Sequence, residues 1–403
     1  MNTLYQYLQS VWNFEYTKFK PAHLKIAFGF ALFFGLIYVV GEVIFGKVDV
    51  LSQYTILNFQ KDIRSYTWPA GHLSLESIFP IVWITLAILV LVVRYSVIIA
   101  SFFKTRKVFG DAAFTQNFLT YFFAAQVSLW LSLLVVLICT KLASLMGFHI
   151  SAGLNLFEHG AKALTASMNR LIPTIINVHS YWLAIVLTIL LTRLPDFILH
   201  YGSHRSRLLW YVFHRAHHCP EILYPLGAPV AFAFDFLLAI PYTLVAIGIS
   251  KLIYTQPLVM EMTIWFSFYY FVEIFNHSSV HYDFVYSNPI VRNLCRLIGN
   301  TGVYHIMHHS ALEQDQNILF SGAPFNFWDR VFGTYRKPYK TIPPLGLTNQ
   351  PRIIMNPFRI VFSGIYQLSY ELRHNTAWSI RWRIVFGSVY YKPPVTKDFL
   401  IVA

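Results

Sequence analysis

The chain contains 403 residues, of which 56% are hydrophobic, 18% aromatic and only 12% charged. Because a soluble domain is typically about 25% charged, this composition argues against a disordered chain and against an ordinary soluble enzyme, and it favours a membrane protein. The formal net charge is +13, which in so apolar a chain indicates cytoplasmic loops and contact with anionic lipid rather than nucleic-acid binding.

Six apolar runs follow one another along the chain and predict about six membrane crossings. They cover approximately residues 24–45, 78–103, 118–145, 175–191, 230–249 and 260–275. Six crossings leave both termini, the basic segment 104–107 and the segment 205–215 on one side of the membrane. These segments carry most of the lysine and arginine, so the positive-inside rule predicts that this side is cytoplasmic. The fold class that follows is an all-α, multi-pass membrane bundle with a cytoplasmic helical cap.

Ten of the 16 histidines fall into four clusters, which we number as boxes 1 to 4. Box 1 is His200 and His204, box 2 is His214, His217 and His218, box 3 is His277 and His281, and box 4 is His305, His308 and His309. Residues three or four apart on a helix share one face, so each box can direct two or three imidazoles at one point. Neutral imidazole is a common ligand of iron, zinc and copper, and the ten histidines are therefore predicted metal ligands.

The number of histidines indicates two metal ions rather than one. A single ion binds about four to six ligands, so ten nitrogens divide naturally between two ions. Nearby carboxylates are few, which distinguishes this pattern from the glutamate-rich di-iron bundles. Asp196 precedes His200 by one helical turn and Glu273 precedes His277 by one turn, so both are candidates to orient an imidazole from behind. For Asp196, an ion pair with Arg193 or Arg205 is the alternative.

Three parts of the sequence resemble the fatty acid hydroxylase / sterol desaturase superfamily of membrane di-iron oxygenases. The stretch Asp196-Phe-Ile-Leu-His200-Tyr-Gly-Ser-His204, followed after ten residues by His214-Arg-Ala-His217-His218, is similar to its first two boxes. Trp328-Asp-Arg-Val-Phe-Gly-Thr334 is similar to its closing signature, and Asn317-Ile-Leu stands where members often have Asn-Tyr-Gly. The resemblance covers about residues 193–335.

This resemblance implies a membrane-bound oxidoreductase of the monooxygenase type that hydroxylates or desaturates a lipid, either a sterol or a fatty acyl chain. It also implies two iron ions (Fe2+/Fe3+) in the cap, O2 as co-substrate and electrons from an external reductase chain. A cytochrome b5-like protein, or a ferredoxin with its reductase, would deliver the electrons. The sequence has no dinucleotide-binding glycine motif after a strand and no iron–sulfur cysteine pattern, which agrees with an external donor. The bacterial inner membrane and the endoplasmic reticulum are both open as locations.

Three regions are expected from this reasoning. Residues 1–170 form an N-terminal membrane region of about three spanning helices, residues 171–340 form the catalytic region, and residues 341–403 form a basic, aromatic, amphipathic tail. Such a tail predicts helices that lie on the membrane surface. Several arginines near the boxes have three open interpretations: contact with lipid phosphate, docking of an acidic electron donor, or the plain positive-inside bias. They are Arg205, Arg207, Arg215, Arg292 and Arg296.

Three other functions compete with the oxygenase interpretation. A zinc or iron transporter would also combine membrane helices with histidines, but its ligands would lie near the middle of the spans. A zinc hydrolase needs about three ligands and an open position, so ten histidines exceed its requirement. A non-catalytic receptor or scaffold would not need the histidine boxes.

Overall fold

The computed structural model describes residues 168–223, 245–258, 282–298, 302–321 and 326–402, with shorter stretches such as 9–13 and 116–125 and single residues elsewhere. The described residues are helical and contain no strand, only isolated antiparallel bridges such as Ser206 with Ser388 and Ser310 with Leu345. The helical class predicted from the sequence is therefore confirmed for this part of the chain.

Helix α1 (Tyr181–Ser203) is the one helix in the described part that is long and apolar enough to cross a bilayer, by length and composition. Its 23 residues correspond to about 34 Å at 1.5 Å per residue, which matches a hydrocarbon core of about 30 Å. The predicted run began earlier, near residue 175. The helix begins later because Asn177 has a left-handed backbone (φ 46°) and Ser180 caps the first turn by accepting a hydrogen bond from the Leu183 amide.

The other five predicted spans lie wholly or largely outside the described residues. These are the runs at about 24–45, 78–103, 118–145, 230–249 and 260–275. Helical residues 116–125 and 245–253 overlap two of them. The number of crossings and the sidedness of the chain stay predictions.

A compact helical turn follows α1 and carries box 2. It consists of α2 (Arg207–Leu209), a π-helical turn π1 (Trp210–His214) and α3 (Arg215–His218). A π-turn inserts one extra residue into the helical repeat, and such turns occur frequently at functional sites. Here the turn ends at His214, the first histidine of box 2.

A second group of helices carries box 4 and the closing signature. It comprises α4 (Tyr282–Ser287), α5 (Pro289–Ile298), α6 (Gly302–His308), a 3-10 turn (Glu313–Asp315) and α7 (Phe327–Val331). Every residue of α6 is buried. Helix α7 docks on α1, because the Trp328 indole Nε1 donates to the Leu190 carbonyl at 2.9 Å and Phe332 stacks on Phe197 with ring centroids 4.9 Å apart.

The C-terminal region folds back onto the turn that carries box 2. Helix α8 (Pro357–His374) is capped by Asn356, whose side chain accepts from the Phe358 and Arg359 amides. One face of α8 is buried against π1, and a Cβ on Gly364 would lie only 1.8 Å from the Tyr211 carbonyl oxygen. Glycine at this position therefore allows the two backbones to touch.

The expectation that the C-terminal tail lies on the membrane surface stays a prediction, but the apolar face of α8 is not free to meet lipid. Its apolar residues Ile360, Val361 and Leu368 are buried. The first two belong to an apolar cluster that also contains Tyr121 and Cys219. Helix α9 (Trp378–Phe386) differs, since three aromatic side chains spaced four residues apart stay exposed. We call them the aromatic ridge: Trp378 is 76% exposed, Trp382 55% and Phe386 58%.

Candidate metal centre

The structure brings nine of the ten predicted histidines together in two sets. Within each set, one potential ligand atom per residue lies within 4.8 Å of all the others. The five-histidine set is His200, His204, His214, His218 and His308; the four-histidine set is His217, His277, His305 and His309. The tenth predicted ligand, His281, lies outside the described residues.

The HxxHH spacing of boxes 2 and 4 has a direct geometric explanation. In box 2, His214 and His218 belong to the five-histidine set, whereas His217 belongs to the other. Box 4 is arranged in the opposite sense, with His305 and His309 in the four-histidine set and His308 in the other. The pair at i and i+4 thus supplies one set while the residue between supplies its neighbour. Each of these boxes contributes to both candidate metal positions.

Short contacts between Nε2 atoms mark the centre of each set. In the five-histidine set, the His204 and His214 atoms are 2.8 Å apart and the His214 and His218 atoms are 3.0 Å apart. In the four-histidine set, three such contacts of 2.9 to 3.0 Å join all four rings through their Nε2 atoms. They link His305 with His277, His309 with His217 and His309 with His305.

Two backbone carbonyls fix the tautomer of two of these rings. His200 Nδ1 lies 3.0 Å from the Phe320 oxygen, and His308 Nδ1 lies 2.7 Å from the Ile318 oxygen. A carbonyl can only accept, so each Nδ1 carries the proton and each neutral ring presents a lone pair at Nε2. These two Nε2 atoms lie 2.9 Å apart. Two lone pairs at this distance repel each other, and a shared cation removes the conflict, so the donor set fits a metal ion.

Burial keeps the imidazoles in the neutral form that binds metal. Loss of hydration holds the pKa of His214, His218 and His309 well below the ordinary histidine range, and neighbouring histidines lower it further. The pKa shifts in the same direction, with burial as the first cause, for His204, His305 and His308. Protons therefore do not compete strongly with a metal for these nitrogens near neutral pH.

The two carboxylates predicted to orient imidazoles have different outcomes. Asp196 forms an ion pair with Arg193 at 3.1 Å, while the Phe320 carbonyl orients His200. This is the alternative considered for Asp196, and it arises because residues three apart on α1 share a face. Glu273 lies outside the described residues.

Two of the arginines near the boxes are not available to lipid or to a partner protein. Arg207 is 2% exposed, pairs with Glu371 and donates to the carbonyls of Ile384 and Tyr391. Arg215 is 5% exposed and pairs with Asp398. Both arginines therefore fasten the C-terminal region to the turn that carries box 2, a role that the sequence pattern did not reveal.

An aromatic side chain that the sequence did not single out covers the five-histidine set. Phe320 is 1% exposed and packs edge-on against His200, His204 and His308, with ring centroids 5.1 to 5.4 Å away. No sequence pattern marks the Phe320 ring as part of the site. None marks the carbonyls of Ile318 and Phe320 either, since every residue has a backbone carbonyl. The nearest signal is the position of residues 317–320 directly after box 4.

Residues 185–334 match the family model of the fatty acid hydroxylases. Comparisons with curated proteins and with solved structures give no match. The matched region includes both histidine sets, the segment 317–321 and the closing Trp-Asp signature. Residues 1–184 and 335–403 lie outside it. Both buried histidine sets thus lie in the part of the chain, residues 185–334, that matches the fatty acid hydroxylase / sterol desaturase superfamily.

Proposed function

We propose that this chain is a membrane-bound di-iron oxidoreductase that uses O2 to hydroxylate or desaturate a lipid at an unactivated C–H bond. The observation that carries the proposal is the pair of converging imidazole sets within the residues that match the fatty acid hydroxylase family. All ten predicted histidines, including His281, would hold the two irons. Bound iron would supply the activation of O2 that an unactivated C–H bond requires.

The protein residues would hold the ligands and keep water out. Seven of the nine described histidines are buried, and Phe320 closes one side of the five-histidine set. His200 and His204 are only partly buried, so this set is the more accessible one and would face the lipid carbon. Both histidines lie at the end of α1, where a chain entering from the bilayer would arrive.

The reaction needs an external source of two electrons. Hydroxylation converts one C–H bond, O2, two electrons and two protons into an alcohol and one water. Desaturation removes two hydrogens from the lipid and, with the same two electrons and two protons, converts O2 into two waters. A cytochrome b5-like protein or a ferredoxin system would deliver the electrons on the cytoplasmic side, in a bacterial inner membrane or the endoplasmic reticulum.

A membrane metal transporter is the second candidate, and the geometry favours it less. A carrier must release its cargo, so its ligands line a path with access to water. Here nine histidines are concentrated in two adjoining sets, and His309 is 0% exposed. So many neutral nitrogen ligands, so deeply buried, suit a resident metal pair.

Untargeted lipid mass spectrometry on cells that express the intact chain or His308→Ala tests the proposal. We expect a lipid that gains one oxygen or loses two hydrogens only with the intact chain. His374→Ala is the matched control, because His374 is exposed on α8 and lies outside both sets. Identical lipid profiles for the intact chain and His308→Ala, in cells with ample iron and reductant, would contradict the proposal. A difference in cellular metal content instead would support the transporter.

A further inference from the structure

The segment 318–321 contacts two histidine boxes that are far apart in sequence. Its Ile318 carbonyl accepts from His308 of box 4, and its Phe320 carbonyl accepts from His200 of box 1. Both histidines belong to the five-histidine set. One short segment therefore sets the direction and the tautomer of two predicted ligands of the same metal ion.

The amide side of the same segment is held by a buried carboxylate. The Phe320 amide donates to Asp329 Oδ1 at 2.8 Å, and the Ser321 amide donates to Oδ2 at 2.9 Å. Asp329 is 0% exposed and also accepts from the Thr334 hydroxyl at 2.6 Å. Charge-assisted hydrogen bonds to backbone amides are strong, and a buried carboxylate needs them to offset its lost hydration. The carboxylate therefore holds the backbone of the segment in place, and the segment's amides hold the carboxylate in place.

The segment would not hold this shape by itself. Leu319 has a left-handed backbone with φ 56°, a conformation that side chains with a Cβ rarely adopt. Such strain persists only where the surrounding structure imposes it. The Phe320 and Ser321 amides are held by Asp329, and the Leu319 amide donates to the Thr334 carbonyl at 3.0 Å. The closing signature therefore maintains the strained segment.

We infer that Asp329 is a positioning residue for the metal centre: through the backbone of residues 318–321, its carboxylate orients His200 and His308. The inference rests on the proposed function, because it takes the five-histidine set to be a metal site. It also gives the closing Trp-Asp signature a structural role. Trp328 fastens α7 to the helix that carries His200, and the adjacent Asp329 controls the loop that reaches both rings.

The inference makes a selective prediction about the two sites. The four-histidine set has no member that contacts the Ile318 or Phe320 carbonyl, so a change at Asp329 acts on one of the two metals. Removing a partner that orients a metal ligand typically lowers metal affinity about 10- to 100-fold. Asp329→Asn keeps the size of the side chain but replaces one acceptor oxygen by a donor. It should weaken one metal site by that factor and leave the other site close to its original affinity.

The test is a titration of the purified full-length, metal-free protein with Co2+, whose visible absorption reports each filled site. Wild type should bind two ions, and Asp329→Asn should show one site weakened about 10- to 100-fold. Asp315→Asn is the matched control. Asp315 is an equally buried carboxylate (1% exposed) that accepts from Ser310, Tyr339 and Arg336. The Phe320 and Ser321 amides donate to Asp329 and not to Asp315. Asp315→Asn should lower thermal stability while both ions still bind.

Each outcome separates the inference from the proposed function. If wild type binds no ion, the proposed function and this inference both fall. If wild type binds two ions and Asp329→Asn binds both with unchanged affinity, only the positioning role is overturned. If Asp329→Asn does not fold, Thr334→Val decides, because it removes a single hydrogen bond to the same carboxylate. Selective weakening of one site in Thr334→Val supports the inference, and wild-type binding at both sites refutes it.

Discussion

The contact between α8 and the π-turn at box 2 leads to a quantitative prediction for Gly364→Ala. The added Cβ would lie 1.8 Å from the Tyr211 carbonyl oxygen and 2.6 Å from its carbon. These are backbone atoms, so no rotamer change relieves the clash, and either α8 or the π-turn must move. Overpacking typically costs about 1–3 kcal/mol, and a clash of backbone this close should reach at least about 3 kcal/mol.

Thermal unfolding of the detergent-solubilised protein measures this cost. Each kcal/mol lowers Tm by about 2–4 °C in larger domains, so we expect Gly364→Ala to lower Tm by at least about 6 °C. Because the displaced turn carries His214, metal binding at the five-histidine set should weaken as well. An apparent Tm within about 2 °C of wild type, with unchanged metal binding, would refute the role of Gly364 as a contact point.

Gly202→Ala is the matched control for this substitution. Gly202 is also a helical glycine close to a histidine box, but its added Cβ would meet only the Leu209 Cδ1 atom at 3.5 Å, an ordinary contact. Alanine is favoured over glycine inside a helix by about 0.5–1 kcal/mol. Gly202→Ala should therefore leave Tm unchanged or raise it slightly. A comparable loss of stability in both variants would show that the α8 contact is not the cause.

Three further predictions concern contacts outside the metal centre. Glu371→Gln leaves Arg207 buried without its carboxylate, so it should lower the free energy of unfolding by about 3–5 kcal/mol. Joint replacement of Arg207 and Glu371 by Met and Leu should recover part of the lost Tm. A Tm of Glu371→Gln equal to that of wild type would contradict this. Trp328→Phe removes the hydrogen bond to Leu190 and should cost about 0.5–1.5 kcal/mol in chemical unfolding, whereas no change would show that the indole N–H contributes nothing there. The aromatic ridge should lie at the lipid–water interface. In vesicles of brominated lipid, the fraction of tryptophan emission that is quenched should therefore be smaller in Trp382→Phe than in wild type. Equal quenching in Trp382→Phe and wild type would exclude that placement.

Much of the candidate site was predictable because its information is local in the chain. The spacing of His214, His217 and His218 places imidazoles on neighbouring helical positions whatever the rest of the fold does. The number of histidines indicated two ions, and the structure shows two sets. The apolar run that became α1 was also recognised, although its start was placed about six residues too early, because the run included apolar residues before the Ser180 cap.

Other parts of the site were not predictable, for reasons that differ from residue to residue. Asp196 had the right spacing to orient His200, but Arg193 on the same helix face competes for its carboxylate. The basic tail suggested a membrane surface helix, because amphipathicity does not show whether the apolar face meets lipid or protein. In α8 that face meets the turn at box 2, whereas α9 leaves its aromatic ridge exposed.

The sequence by itself determined the chemistry of this protein: ten clustered histidines, an apolar chain to carry them and a closing Trp-Asp signature. Only the tertiary structure decided how the histidines divide into sets of five and four, and which groups orient them. The reason is physical. The type of a side chain and its helical spacing are local properties, whereas the direction of a backbone carbonyl depends on how a loop is held by residues elsewhere. The Phe320 carbonyl points at His200 because Asp329 holds the Ser321 amide of the same peptide unit. The Ile318 carbonyl points at His308 while the Thr334 carbonyl holds the Leu319 amide behind it.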